Sequence, residues 1–388
     1  MTGDVVELEI GPVAHGGHCV ARLDGRVVFV RHTLPGERVR ARITEGSVEA
    51  RFLRADAIEV LERAAGRVES RCRYAGPGGC GGCDFQHVDL ATQRRLLGDV
   101  VAEQLRRLAG IERDVVVESA DGDGGLGWRT RVSWAVDAEG RTGLRKHRSH
   151  DVVAIDRCPI AHPDMPDVAG ERWSAQRVET VVSSAGDSLV VADEETVRGR
   201  RHAREDVRDR EFRVTGGGFW QVHPRAAELL VDAVLAMLDA RPGERIADLY
   251  AGVGLFTAFI AEAVGPGGAV VSVESEAGAV RDARRNLHDL PQARIVGDRV
   301  DRALRAGSVG ECDAVVLDPP RTGAKARVVR EIAAAGAERV VYVACDPAAL
   351  ARDVATFAEH GYVLDDLRAF ALFPMTHHVE CVALLRRR

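Results

Sequence analysis

The chain has 388 residues, 46% of them hydrophobic and 29% charged, with a formal net charge of −6 at pH 7. This is the composition of an ordinary globular protein with material for two or three domains and a large core, and it excludes a disordered or collagen-like chain. No apolar run is long enough for a bilayer and no signal peptide is visible, so a cytoplasmic protein is expected, and any nucleic-acid contact must come from local patches rather than the net charge.

Residues 1–62 alternate apolar and polar, as in Val5-Val6-Glu7-Leu8-Glu9-Ile10 and Arg26-Val27-Val28-Phe29-Val30. Asp24-Gly25 is a hairpin signal and Glu45-Gly46-Ser47 a second turn. So many short strands in so few residues predict a small β-barrel. Gly11-Pro12-Val13-Ala14-His15-Gly16-Gly17, with Phe29-Val30 and Leu34-Pro35-Gly36-Glu37, resembles the TRAM domain, an RNA-binding barrel. The competing reading is a barrel that only supports its neighbour.

Residues 63–215 are less regular and form a second, central α+β unit. Cys72, Cys80, Cys83 and the distant Cys158 supply four thiols, and the glycines between the first three let backbone wrap closely around a metal. In a reducing compartment such a set favours zinc or an iron–sulfur cluster over disulfides, and spacing does not separate the two. Helical composition runs from Leu90 to Leu108, and Asp121–Gly127 reads as a loop. Trp128–Val136 reads as a strand, with further strands ending near Val191. Seven arginines lie between Arg198 and Arg213 among Asp and Glu, a mixed-charge run that reads as a solvated face with RNA contact as the alternative.

Residues 216–388 alternate strand and helix. Strands are predicted at Arg245–Leu249, Ala269–Val273, Ala293–Val296, Asp313–Leu317, Arg339–Val343, Tyr362–Phe370 and His378–Leu385, the last two without a helix between them. That is an α/β, Rossmann-like domain closed by an antiparallel pair. Asp248-Leu249-Tyr250-Ala251-Gly252-Val253-Gly254-Leu255 follows the first strand, and Glu274 ends the next, about twenty residues on, the arrangement that binds a nucleoside ribose. Thr257 stands where a dinucleotide loop needs its third glycine, and no Lys is near to meet phosphates, so a cofactor without pyrophosphate fits better. The pattern resembles the first motif of class I S-adenosylmethionine-dependent methyltransferases. That resemblance implies Glu274 on the ribose hydroxyls, Asp298 on the adenine amino group, and Tyr250 and Leu255 lining the site.

Asp318-Pro319-Pro320-Arg321 follows the fourth strand, Cys345-Asp346-Pro347 the fifth, and Glu380 lies on the last. Polar groups at the carboxyl ends of such strands converge on the crevice where α/β sheets bind ligands, and a thiol beside a helix N-terminus is placed to ionise. With Phe219-Trp220-Gln221-Val222 and His378-Val379-Glu380, these motifs are similar to the RNA uracil-C5 methyltransferases, which make 5-methyluridine in ribosomal or transfer RNA. Together with the TRAM-like barrel the resemblance spans nearly the whole chain. Carbon 5 of uracil is too weak a nucleophile to take a methyl group unaided. A thiolate adding at carbon 6 makes it an enolate, and a base must then remove the hydrogen at carbon 5.

The resemblance implies Cys345 as nucleophile and Glu380 as base, Gln221 and Asp318 on the cofactor, and Arg321 and Asp346 on the substrate. It also implies a 4Fe–4S cluster on Cys72, Cys80, Cys83 and Cys158, as in the ribosomal-RNA branch, which makes ribosomal RNA the expected partner before transfer RNA; no obligate protein partner is implied. Two positions depart from the family: Asp346 replaces the usual Asn, so that a group able to donate becomes one that cannot, and His223 replaces the commoner Asn. Two other readings remain at this stage, a non-catalytic RNA chaperone and a methyltransferase for exocyclic nitrogen. Both leave Cys345 and Glu380 without a task.

Overall fold

The computed structural model describes residues 2–120 and 124–388, so Asp121, Gly122 and Asp123 of the expected 121–127 loop lie outside the described residues. Strands β1 (Val5–Glu9), β2 (Val13–Ala14), β3 (His18–Leu23), β4 (Arg26–Arg31), β5 (Arg38–Glu45) and β6 (Phe52–Glu62) form one sheet in the order β1-β5-β6-β4-β3-β2. Alternate residues Val28, Val30, Val39, Ala41, Ile43, Leu53 and Ala55 point inward and are fully buried. The sheet closes where Gly11 N donates to Val20 O at 2.8 Å. Asp24 and Gly25, with φ of 50° and 79°, make the two-residue turn between β3 and β4.

Helix α1 (Leu90–Gln104) is capped by Asp89, whose carboxylate accepts from Thr92 N at 2.8 Å, and it ends in a π-helical turn over Leu105–Ala109. It packs between the barrel and the last domain. The short strand β7 (Val117–Ser119) leaves the central segment and joins the last domain's sheet by pairing in parallel with residues 369–371. The central sheet comprises β8 (Arg131–Val136), β9 (Thr142–Arg145), β10 (Val152–Ala154), β11 (Arg177–Val182), β12 (Ser188–Ala192) and β13 (Glu195–Arg198), in the order β10-β9-β8-β11-β12-β13. β8 starts three residues later than the sequence pattern predicts, because Arg129 N and Thr130 N donate outside the sheet, to Ile160 O and Val222 O. A hairpin, β14 (His202–Val207) and β15 (Arg210–Thr215), buries Phe212 and Val214 against the last domain.

That domain runs α2 (Ala226–Leu238), β16 (Arg245–Leu249), α3 (Leu255–Val264), β17 (Ala269–Glu274), α4 (Ala277–Asn286), β18 (Ala293–Gly297), α5 (Val300–Arg305), β19 (Ala314–Leu317), α6 (Lys325–Ala334), β20 (Arg339–Ala344), α7 (Pro347–Glu359), β21 (Tyr362–Ala371) and β22 (Glu380–Arg387). The sheet order is β18-β17-β16-β19-β20-β22-β21-β7. Strands β16 to β20 pair in parallel, and β22 runs antiparallel to both its neighbours. The inner strands β16, β17, β19, β20 and β22 are buried on both faces, which explains their continuous apolar runs, whereas the edge strand β18 is partly exposed. An antiparallel strand begins where parallel ones end, so the first residue of β22, Glu380, lies on the same edge as the ends of β16, β19 and β20. Among the described residues no helix is long and apolar enough to cross a membrane.

Candidate active site

Tyr342 pairs with Ala383, Val343 with Val382 and Ala344 with Cys381, so Cys345, one step further, comes level with Glu380. Opposite residues in an antiparallel ladder share a face, about 4.5–5.5 Å apart at Cα, and this face is that of Val343 and Val382. Cys345 is half-buried and Glu380 buried. Asp346 caps α7: its Oδ1 accepts from Ala349 N at 2.7 Å, and Pro347 fills the first helical position, where no donor is needed. Asp318 leaves β19 on the adjacent strand, and Arg321 follows after the two prolines, its Nη2 3.5 Å from His378 Nε2. The turn after Arg321 is fixed from below by Asp353 of α7, whose Oδ2 accepts from Tyr342 Oη and Ala324 N at 2.7 Å each.

The crevice collects acids. Burial, then the charges of Glu380 and Asp318, push the Cys345 thiol up to about 12, with Arg321 opposing. Burial and neighbouring Asp318 raise Glu380 well above the carboxyl range, again against Arg321. Burial and Asp248 lift Asp318 to about 7, and burial lifts Asp248 to about 7. A positive charge entering here would favour the ionised form of every one of these groups.

Next to this cluster lies the glycine loop. Tyr250, Gly252 and Gly254 all have positive φ, 63°, 55° and 90°. A Cβ on Gly254 would stand 2.9 Å from Leu287 Cδ1, whereas one on Gly252 would meet nothing within 4 Å. The first glycine thus faces open space for a ligand, and the second lets α3 start against α4. The Glu274 carboxylate is held at the end of β17 by Gly252 N at 3.0 Å, Ser275 N at 2.6 Å and Glu276 N at 2.7 Å. Oε1 takes the Ser275 and Glu276 amides, and Oε2, with only Gly252 N on it, keeps acceptor capacity for a hydroxyl. Asp298 lies half-buried after β18, Leu255 is buried at the start of α3, and Gln221 is buried in the segment before α2. Inside the loop Thr257 Oγ1 donates to Asp248 Oδ2, while Asp248 Oδ1 is buried with no hydrogen-bond partner among the described residues. Open space before a glycine, an acceptor for hydroxyls and an orphaned carboxylate oxygen suit S-adenosylmethionine, which carries ribose hydroxyls, an amino group and a cation.

Cys72, Cys80, Cys83 and Cys158 line one small chamber with Leu144, Ile155 and Ile160. Gly82 N donates to Cys80 Sγ at 3.3 Å and Gln86 Nε2 to Cys83 Sγ at 3.5 Å. Burial raises the Cys80, Cys83 and Cys158 thiols, Cys83 to about 12. Among the described residues no group of three or more His, Cys, Asp or Glu side chains is placed to hold a metal ion.

Sequence reasoning brought these residues to the right edges but missed several of their neighbours. Asp248 is visible as an acid inside an apolar strand, a signal that went unused. His15, Asp84 and His377 carry no sequence signal, because only the packing of three units brings them to the crevice: His15 Nε2 lies 3.1 Å from Asp346 Oδ2, and Asp84 Oδ2 accepts from His377 Nδ1 at 2.6 Å.

The TRAM domain family matches residues 1–58, and the tRNA (uracil-5-)-methyltransferase family matches residues 299–388. The protein-L-isoaspartate(D-aspartate) O-methyltransferase family matches residues 223–306, which include the glycine loop. An uncharacterized RNA methyltransferase of Streptomyces avermitilis is 48% identical across 99% of this chain and 98% of its own length. The 23S rRNA (uracil(1939)-C(5))-methyltransferase of Thiobacillus denitrificans is 32% identical across 98% of this chain and 99% of its own. Among solved structures, the tRNA (uracil-54, C5)-methyltransferase of Pyrococcus abyssi, in complex with S-adenosyl-L-homocysteine, superposes with a TM-score of 0.73 over 98% of this chain and 100% of that one. At 22% identity that likeness carries the fold alone. A TRAM barrel in front, a cofactor crevice at the switch point of a doubly wound sheet, and relatives that match end to end lead to one assignment: the chain belongs to the S-adenosylmethionine-dependent RNA uracil-C5 methyltransferases.

Proposed function

We propose that the enzyme forms 5-methyluridine in 23S ribosomal RNA, with Cys345 as covalent nucleophile and Glu380 as base. The observation that carries this reading is the register that brings Cys345 level with Glu380 on one face, at the edge shared with Asp318 and the glycine loop. Ribosomal RNA is preferred because the 32%-identical Thiobacillus relative is a 23S rRNA enzyme and matches along its whole length.

When bound, S-adenosylmethionine supplies an electrophilic methyl group and a sulfonium charge, and a cation beside buried carboxyl groups favours both carboxylate and thiolate. Glu274 would hold its ribose, Asp298 its adenine, and Gln221, Tyr250, Gly252, Gly254, Leu255 and Asp318 would line its site. Cys345 loses its proton to Asp318, which leaves Glu380 free for the later step, and its sulfur forms a bond to carbon 6 of uracil. The carbon 5–carbon 6 electron pair moves onto the carbonyl as an enolate, whose carbon 5 then takes the methyl group. Glu380 removes the remaining hydrogen from carbon 5, the double bond re-forms, and the sulfur leaves and recovers its proton. Arg321 would hold the uracil, and Asp346, whose oxygens take Ala349 N and His15 Nε2, would serve the substrate by shaping the loop against which it lies.

For the central unit we propose a 4Fe–4S cluster on Cys72, Cys80, Cys83 and Cys158. Four sulfurs around one apolar chamber, two of them accepting amide hydrogen bonds, suit a cluster. Its role is structural or RNA-facing, since the reaction transfers no electron.

The test is methyl transfer from labelled S-adenosylmethionine to unmodified total RNA, followed by nucleoside analysis and fractionation of the RNA. Label in 5-methyluridine of 23S RNA is expected; label confined to transfer RNA would move the substrate, and label in another nucleoside would overturn the reaction. Cys345→Ala should abolish transfer while still binding cofactor, and activity in that variant would remove the covalent step.

A further inference from the structure

The barrel's turn between β2 and β3 reaches into the catalytic domain and touches both loops on which the proposed chemistry depends. On one side His15 Nε2 lies 3.1 Å from Asp346 Oδ2, the residue directly after Cys345. Burial raises Asp346, but the hydrogen bonds from His15 and Ala349 N and the nearby charges outweigh it and hold the carboxyl below its usual range. Asp346 therefore uses one oxygen to start α7 and the other to bind the barrel. On the other side Gly17, at φ +77°, packs so tightly that a Cβ there would stand 2.8 Å from both Asp84 Cβ and His377 Cβ.

His377 belongs to the segment leading into Glu380, and that segment is fixed from the same direction. Asp84 Oδ2 accepts from His377 N at 3.2 Å and from its Nδ1 at 2.6 Å. Asp84 N and Phe85 N both donate to Met375 O at 2.9 Å, and Gln93 Oε1 accepts from Met375 N at 2.9 Å. Arg31 of β4 stands 3.5 Å from Asp84 Oδ1, so the barrel supports this anchor as well.

We propose that residues 15–17 of the barrel are a positioning element of the active site, His15 setting the Cys345 loop through Asp346 while Gly17 seats the segment that delivers Glu380. The inference rests on the assignment of Cys345 and Glu380 as nucleophile and base. It gives the barrel a task in the chemical step, beyond holding RNA. It also accounts for Asp346 in this chain: a carboxylate can accept from the cap amide and from His15 at once.

The test is a double-mutant cycle on His15→Ala, Asp346→Ser and the double variant. Serine keeps a helix cap but is too short to reach His15. The readouts are kcat and KM for RNA at saturating cofactor, with S-adenosylmethionine affinity measured separately by calorimetry. Displacement of a reacting group by about 1 Å can cost on the order of 100-fold, so His15→Ala should lower kcat roughly ten-fold or more, with KM for RNA and cofactor affinity within a few-fold of wild type. His15→Gln, which restores a donor without the ring, should recover part of the rate, and the double variant should be no slower than Asp346→Ser alone. An unchanged kcat in His15→Ala, an effect confined to KM for RNA, or full additivity in the double variant would overturn the proposal. Wild-type protein that makes no 5-methyluridine would instead refute the underlying assignment, whatever the variants do.

Discussion

Replacing Asp248 with asparagine should relieve the wild type of a cost that grows with pH. The Asp248 side chain is fully buried at the end of β16, and burial lifts its carboxyl to about 7. Below about pH 4 the group is neutral whether the chain is folded or not, and it contributes no difference. Between about pH 4 and 7 the unfolded chain ionises there and the folded one does not, so stability falls as pH rises, and above 7 the loss is complete. At 1.36 kcal/mol per unit, a shift of roughly 3 units amounts to about 4 kcal/mol, of which roughly 3 kcal/mol should appear between pH 5 and 8. Asparagine keeps the volume and can still accept from Thr257 Oγ1. Urea unfolding of both proteins across that range, read as the difference between them, cancels the titration of groups that do not feel Asp248; Asp318, which does, adds to the difference in the same direction. The difference should move toward the variant by roughly 3 kcal/mol and flatten above about pH 7.5. A difference independent of pH would refute the claim that the folded crevice keeps this carboxyl neutral. Saturating S-adenosylmethionine should narrow the gap at pH 8 more than S-adenosylhomocysteine, which lacks the sulfonium charge.

Glu380→Gln should still add Cys345 to uracil and accept the methyl group but fail to release it, so a covalent enzyme–RNA band should accumulate on denaturing gels; rapid turnover would exclude Glu380 as the base. Asp353→Ala strands the Tyr342 hydroxyl proton in the core and leaves the Ala324 amide only its longer bond to Tyr342 Oη, which should cost roughly 2 kcal/mol in urea unfolding, with a lower kcat as the turn after Arg321 loosens; a loss below about 1 kcal/mol would show that the network is dispensable. Protein purified without oxygen should be brown with iron near about four per chain and should bleach and lose stability with chelator; colourless protein carrying one zinc would replace the cluster.

The strands of the catalytic sheet were legible because burial on both faces writes them as unbroken apolar runs, and Asp24-Gly25 was legible because the turn needs positive φ at both residues. β7 was not: three residues carry no period, and their partner at Ala369–Ala371 lies some 250 positions away, so only the folded chain reveals the pairing. The arginine run between 198 and 213, read as a mixed-charge solvated face, is largely exposed, but its pairings could not be read from the sequence. Arg204 is paired with Asp187, Arg208 with Asp232, and Arg210 with both Glu262 and Asp289, so much of this positive charge ties the hairpin to its neighbours. The strand ends that carry Cys345, Asp318 and Glu380 could be read because each follows or begins an apolar run. Their partners could not, because His15 and Asp84 arrive from other units.

The direction of β22 is what makes Cys345 and Glu380, the proposed nucleophile and base, neighbours. In a wholly parallel sheet every strand ends at the crevice, so reacting groups must come from the loops that follow, and the spacing between them depends on loop conformation. Reversing one strand brings a strand start to the same edge, and Glu380 is then held by its pair with Phe370 of β21 and stands one step beyond the ladder to β20, level with Cys345. Neighbouring strands fix such groups about 5 Å apart, close to the span between the faces of a pyrimidine's carbons 5 and 6 and the groups that must reach them. The base is thereby rigid, with its loop anchored to Asp84. The thiol stands one residue beyond its strand, so its position depends on the loop that follows it. By the proposed mechanism this places the control of rate at the Cys345 loop, and there Asp346 and His15 meet.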